Sequence, residues 1–187
     1  MTAGRLLILD RDGVINEDSD DYVKSVQEWK PLPGSIEAIA RLAQAGYRIA
    51  VATNQSGLAR GLFSCAELNA MHQRLRELLA AQGGRIELIA FCPHAPADHC
   101  DCRKPRTGLL DEIASRLHVD LRGVPVVGDS RRDLESALAV GAAPWLVLTG
   151  KGQQTLTSIQ AQPHDSLLAG VPVRADLRAV ANALLQT

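Results

Sequence analysis

The stretch Leu6-Leu7-Ile8-Leu9-Asp10-Arg11-Asp12-Gly13 decides how this 187-residue chain is read. A four-residue apolar run that stops at a turn signal is the pattern of a strand buried on both faces, as in a parallel sheet. The two aspartates stand where that strand ends, and in open α/β sheets ligands gather at the carboxyl ends of strands. Residues two apart in an extended chain project to the same side, so both carboxylates aim at one point. Like charges so placed need compensation by a cation, a shared proton or a division of labour. A magnesium-dependent phosphoryl-transfer site needs that arrangement, although Asp-x-Asp-Gly also serves in plain turns.

Outward from this junction, short apolar runs alternate with helical periods. Strands are predicted at 6–9, 49–53, 86–91, 124–127 and 145–148. Helical spacing joins Ile36, Ile39, Ala40 and Ala43; Leu68, Met71, Leu75, Leu78 and Leu79; Leu110, Ile113, Ala114 and Leu117; and Leu134, Ala137, Leu138 and Gly141. Leu177, Val180, Ala181, Leu184 and Leu185 predict a closing helix. Ser64 with Glu67 fits a capping box, and Gly46 and Gly83 fall where helices should stop. Strands alternating with helices imply right-handed crossovers, hence a doubly wound, mostly parallel α/β sheet with helices on both faces. The segment 152–172 has no legible pattern. Residues 1–187 read as one domain without repeat or linker.

Composition narrows the classes of function. A 46% hydrophobic content is ordinary for a globular protein, and a formal charge of -1 argues against nucleic acid or an electrostatic membrane anchor. No apolar run approaches the roughly 18 residues of a membrane span, and the N-terminal run lacks a signal-peptide layout. A cytoplasmic location and a monomer are therefore expected. In that compartment the four cysteines read as ligands or core residues before disulfides.

Three further features lie at predicted strand ends. After the second strand, Thr53-Asn54-Gln55-Ser56-Gly57 offers hydroxyl and amide donors for phosphate oxygens, or simply a polar turn. Arg103-Lys104-Pro105, with Gly108 behind, fits a lysine at a helix start aimed at bound phosphate, or a solvated basic pair. After the fourth strand, Gly128-Asp129-Ser130 adds a carboxylate and Asp133 follows one turn on; a helix-capping aspartate is the competing reading. Between the third strand and Lys104, Cys92, His94, Cys100 and Cys102 supply three thiolates and an imidazole, a full tetrahedral set for structural zinc. A disulfide or reduced surface cysteines are the alternatives, and His99 is a competing imidazole. Cys65, apart at a helix start, is expected to pack.

The order strand-Asp-x-Asp, strand-Thr-Asn, Lys-Pro, strand-Gly-Asp-x-x-x-Asp resembles the four motifs of the haloacid dehalogenase (HAD) superfamily of phosphohydrolases over about residues 5–151. That resemblance implies a Rossmann-like HAD fold, with Asp10 as nucleophile and Asp12 as general acid and base. It implies Mg²⁺ held by the Asp10 carboxylate, the Asp12 carbonyl and Asp129, and Thr53 and Lys104 on the phosphoryl oxygens.

The intervals 12–33 and 92–104 are too short for a cap domain of ~50 residues, so a capless enzyme with a zinc-binding loop is expected. Cys-x-His…Cys-x-Cys-Arg-Lys-Pro in such an enzyme resembles the D-glycero-D-manno-heptose-1,7-bisphosphate 7-phosphatases of lipopolysaccharide synthesis. Gly57-Leu58-Ala59-Arg60-Gly61 and Asp21-Tyr22-Val23 resemble their loops. The resemblance implies a sugar bisphosphate substrate met by Tyr22, Asn54, Gln55, Ser56, Arg60 and Arg103, with Arg103 on the second phosphate; the anomer stays open.

A similar zinc loop occurs in histidinol-phosphate phosphatases. Arg60, Arg103 and Lys151 argue for a second anionic subsite, and Asp18, Asp20 and Asp21 for an ammonium. A receiver-like phospho-acceptor module is the non-enzymatic alternative, and the zinc loop has no place in it.

Overall fold

Alternate residues of the first strand face opposite sides of the sheet, and the two cores follow from that pleat. The computed structural model describes residues 5–162 and 170–186. In β1 (Leu6–Leu9), Leu7 and Leu9 join one core, with Ile49 and Val51 of β2 (Arg48–Asn54), under α1 (Ser35–Gln44), α2 (Cys65–Ala80) and α6 (Leu177–Leu185). Leu6 and Ile8 join the other, with Ala50, Ala52 and Ala90, under α3 (Gly108–Leu117) and Ala137 of α4 (Arg131–Ala139). All four β1 side chains are buried, which explains why the strand reads as unbroken apolar sequence.

The sheet is completed by β3 (Leu88–Cys92), β4 (Pro125–Gly128), β5 (Ala143–Val147) and β6 (Val173–Arg174). Its order is β3-β2-β1-β4-β5-β6, and every pairing is parallel. From β1 the chain winds first to one side and then, through β4, to the other. The strand order therefore reverses between β1 and β4, and their carboxyl ends form the crevice where such sheets bind ligands.

Five predicted strands and five predicted helices are present, with ends shifted by a few residues. The predicted capping box is formed: the Ser64 hydroxyl accepts from the Glu67 amide at 3.2 Å, and Ser64 N–H donates to the Glu67 carboxylate at 2.6 Å. Two elements escaped the sequence. The edge strand β6 is two residues long, and α5 (Gly152–Gln160) offers only Leu156 and Ile159, partly buried against Leu134 and Leu146, so each is too short of apolar residues to read as a period. Part of the illegible segment, 163–169, lies outside the described residues. Residues 10–34 and 93–107 connect strands to helices as loops, the latter with one 3₁₀ turn at Pro96–Asp98. Among the described residues no cap domain is inserted, and no helix is long and apolar enough to cross a membrane.

Candidate active site and cysteine cluster

Asp10 continues β1 by one step, its amide donating to the Val127 carbonyl of β4 at 2.9 Å. Asp129 follows the last residue of β4 directly, so the reversal of strand order puts the two carboxylates side by side. Gly13 (φ 81) is required here, because a Cβ at that position would land on Asp129 Oδ2. Gly128 is required in the same way, since its missing side chain is the space Asp133 occupies.

Lys104 is the counter-charge. Its ammonium lies 3.0 Å from Asp10 Oδ1 and 2.6 Å from Asp133 Oδ1, and it donates to the Ala52 carbonyl at 2.7 Å. Asn54 fixes the Lys104 backbone from both sides, accepting its N–H at 3.1 Å and donating to its carbonyl at 3.2 Å. The expectation that Lys104 stands at a helix start is corrected: α3 begins at Gly108, and the lysine is steered by Asn54 instead. Asp133 also closes a capping box with Ser130, whose hydroxyl donates to it at 2.6 Å. One Asp133 carboxylate thus both closes the cap of α4 and orients Lys104.

Burial drives the Asp10 carboxyl well above its usual range; Lys104 pulls it back, and Asp133, Asp129 and Asp12 push it up again. Asp129 is raised to about 7, first by burial and then by Asp133. Acceptor oxygens of Asp10, Asp129 and Asp133 lie within 4.8 Å of one another. Asp133 is spent on Lys104 and Ser130, which leaves Asp10 and Asp129 as two hard oxygen donors whose repulsion a divalent cation would relieve.

Asp12 behaves differently. Burial alone would raise it, but the Arg11 guanidinium, Asn16 and Gln55 together hold it below the usual carboxylate range. Arg11, 1% exposed, spans both Asp12 oxygens at 2.9 and 3.0 Å. The Gln55 amide nitrogen donates to Asp12 Oδ2 at 2.8 Å and to Thr53 Oγ1 at 2.9 Å. Two adjacent carboxylates therefore acquire opposite proton affinities from opposite surroundings.

Asp10, Asp12, Tyr22, Thr53, Asn54, Gln55, Ser56, Arg103, Lys104 and Asp129 all line one cavity of ≈ 200 Å³. Arg60 does not. It is exposed, its guanidinium 5.9 Å from the centre of the Tyr22 ring, so it backs the tyrosine from outside. Lys151 lines the cavity but is paired with Asp18 and Asp20, each at 3.4 Å. Sequence reasoning missed Arg132, which lines the same cavity, and Arg11, whose position inside the Asp-x-Asp motif disguised it as a spacer.

The cysteine cluster stands at the end of β3. Cys92 Sγ is 3.6 Å from Cys100 Sγ and 3.7 Å from His94 Nδ1; Cys102 Sγ is 3.5 Å from Cys100 Sγ and 3.2 Å from His94 Nδ1. These separations are far beyond a disulfide bond of ~2 Å. They match the ~3.8 Å sulfur–sulfur edge of a tetrahedron built on Zn–S bonds of ~2.3 Å. Burial and the crowding of Cys92 and Cys100 push the Cys102 thiol up to about 12, a penalty that a bound cation removes. His94, not the exposed His99, faces the sulfurs. Cys65 does not pack as expected: it is exposed at the first position of α2, which faces solvent.

Known proteins carry the same plan. The HAD-hydrolase-like family model matches residues 101–171, and the polynucleotide kinase 3 phosphatase model matches residues 6–135. A D-glycero-beta-D-manno-heptose-1,7-bisphosphate 7-phosphatase of Pseudomonas aeruginosa is 60% identical over 97% of this chain and 98% of its own length. That of Pseudomonas putida is 55% identical over 97% and 99%. The crystal structure of D,D-heptose 1,7-bisphosphate phosphatase from Bordetella bronchiseptica, complexed with magnesium and phosphate, superposes with a TM-score of 0.92 at 55% identity, covering 97% of this chain and 98% of that one. With the crevice between β1 and β4, its lysine-balanced aspartates and this likeness over nearly the whole chain, the protein belongs to the D-glycero-D-manno-heptose-1,7-bisphosphate 7-phosphatase family of HAD phosphohydrolases.

Proposed function

We propose that the protein removes the 7-phosphate of D-glycero-β-D-manno-heptose 1,7-bisphosphate through an aspartyl-phosphate intermediate. The observation that carries this is the meeting of Asp10, Asp129 and Lys104 at the sheet's switch point, beside the carboxylate pair Asp10 and Asp12 of opposite proton affinity. The choice of the β anomer is supported by the relatives of Pseudomonas aeruginosa and Pseudomonas putida, which act on it by name.

Mg²⁺ would be held by the Asp10 carboxylate, the Asp12 carbonyl and Asp129; when bound, it neutralises phosphoryl oxygens and keeps Asp10 ionised. Asp10 attacks phosphorus in line, and the ester oxygen leaves with a proton from Asp12. Arrival of the anionic phosphate raises the proton affinity of Asp12 and lets it take up that proton. After transfer, the Asp12 carboxylate deprotonates the water that hydrolyses the acyl phosphate. Its hold by Arg11, Asn16 and Gln55 suits this second step, which needs a base. Thr53 and Lys104 orient the phosphoryl oxygens, while Asn54 and Gln55 act indirectly, on Lys104 and Asp12. Stacked electrostatic terms fit a reaction whose enzymatic acceleration reaches ~10²¹. Zn²⁺ on Cys92, His94, Cys100 and Cys102 would be structural, bracing the loop that delivers Arg103 and Lys104.

Phosphate release from both heptose bisphosphate anomers, fructose bisphosphate and histidinol phosphate, with Mg²⁺ present, tests the reading. A clear preference for the β anomer is expected. Comparable rates on all four would reduce the protein to an unselective phosphatase. Histidinol phosphate is disfavoured because Asp18 and Asp20, two of the carboxylates lining the cavity, already hold the Lys151 ammonium.

A further inference from the structure

The catalytic cavity does not end at the zinc loop. A second cavity of ≈ 330 Å³ adjoins it, and the two share Arg103, Lys104 and Arg132 as a common wall. Their electrostatics are opposite. Six aspartates line the first cavity, whereas no carboxylate lines the second, where Arg103, Arg106 and Arg132 gather. Arg106 is engaged with the carbonyls of His99 and Cys100 and so stiffens the loop. Lys104 turns away to Asp10 and Asp133. Arg103 makes one long bond, 3.4 Å, to the His94 carbonyl.

Arg132 is different again. It sits in the first turn of α4 between Arg131, paired with Glu135, and Asp133, paired with Lys104. Arg132 itself is exposed and has no carboxylate partner among the described residues. Arg103 and Arg132 both line the two cavities, so their guanidiniums share the wall where the cavities meet. Two guanidiniums held together without an anion form a receptor for a dianionic oxygen fork.

We propose that Arg132, together with Arg103, grips the retained phosphate of the substrate across the mouth of the second cavity, making Arg132 a specificity-determining residue. This rests on the heptose-bisphosphate reading above and assigns the end of the substrate that does not react. The scissile phosphate sits among Asp10, Thr53 and Lys104, and the sugar leads away from the acidic floor to a wall free of acids. A neutral or cationic group in that position would leave both guanidiniums uncompensated, so the wall selects for a second phosphate.

Kinetics of wild type, Arg132→Ala and Arg132→Lys on the β bisphosphate and on p-nitrophenyl phosphate, which has no second phosphate, test this. In Arg132→Ala, kcat/KM for the bisphosphate is expected to fall about 10- to 100-fold, mostly through KM. That loss should exceed the loss on p-nitrophenyl phosphate at least about tenfold, and Arg132→Lys should recover part of it. Equal losses on the two substrates, or none on the bisphosphate, overturn the assignment. Circular dichroism melts verify that the variants fold. Failure of the underlying reading would look different: wild type would show no preference for the bisphosphate over heptose 7-phosphate. The subsite is then judged by fructose 1,6-bisphosphate as an inhibitor of p-nitrophenyl phosphate hydrolysis. An inhibition constant about tenfold weaker in Arg132→Ala upholds it, and an unmoved one overturns it.

Discussion

The Arg11 guanidinium closes on the carboxylate of its own chain neighbour, Asp12, at 2.9 and 3.0 Å, while its other nitrogen approaches His72 Nε2 at 3.4 Å. The residue between the two motif aspartates thus ties the second aspartate to His72 of α2. Replacing Arg11 with Met leaves a largely buried carboxylate without its cation, a change that costs about 3–5 kcal/mol when the pair is fully buried. Asp12 keeps 22% of its side chain exposed, so a loss near the lower end, about 3 kcal/mol, is expected. Urea denaturation checks it. The double variant Arg11→Met with Asp12→Asn should be less destabilised than Arg11→Met alone, and simple additivity would show that the pair is not coupled.

Asp10→Asn should abolish turnover, by about 10³-fold or more, without loss of fold. The stability side follows from the crowding of Asp10 by Asp12, Asp129 and Asp133. Removing one of four neighbouring negative charges relieves repulsion, so the melting temperature without Mg²⁺ should stay level or rise. The same substitution should weaken the stabilisation that Mg²⁺ confers on wild type, because one of its oxygen donors becomes neutral. Differential scanning calorimetry with and without Mg²⁺ reads both effects. A sharply lowered melting temperature in metal-free buffer would show that the carboxylate is structural.

Protein purified without chelators should carry one equivalent of zinc by elemental analysis. Cys102→Ser should lower that content and reduce turnover although it touches no group of the phosphate site. The connection is short: Arg103 and Lys104 follow Cys102 directly, and Lys104 supplies the ammonium at 3.0 Å from Asp10. Full zinc-free activity would separate the cluster from catalysis.

The sequence made β1 and its aspartates legible because a strand buried on both faces reads as an unbroken apolar run that ends abruptly in charge. The cysteine cluster was legible because its four ligands lie close together in the chain. What stayed hidden depends on contacts distant in sequence. Asn54 looked like a phosphate donor, yet its amide is committed to the Lys104 backbone fifty residues away. Gln55 looked the same and is committed to Asp12, Thr53 and Arg11. Arg132 was indistinguishable from Arg131 by type, and only the helical turn sends one to Glu135 and the other to the cavity. The two-residue β6, and α5 with Leu156 and Ile159 as its only large apolar residues, are too brief a pattern to read.

His72 gives the fold an acid-sensitive point. It is 4% exposed on α2, and burial, then Arg11 and Arg76, push its imidazole down to about 3. The neutral ring accepts from Arg11 through Nε2, so a proton there would both break that contact and set two cations together. In the unfolded chain the imidazole takes up its proton near pH 6.5. Between pH 6.5 and about 3 the unfolded state therefore binds the extra proton, and stability falls as pH falls, at about 1.4 kcal/mol per unit from this group. From pH 7 to pH 5 the contribution lost is about 2 kcal/mol. His72→Gln keeps an acceptor for Arg11 but does not titrate, so its urea midpoint should drop less than that of wild type over the same interval. Parallel drops in the two proteins would mean that the folded imidazole takes up its proton over the same pH range as the unfolded one, and that its contact with Arg11 is of another kind.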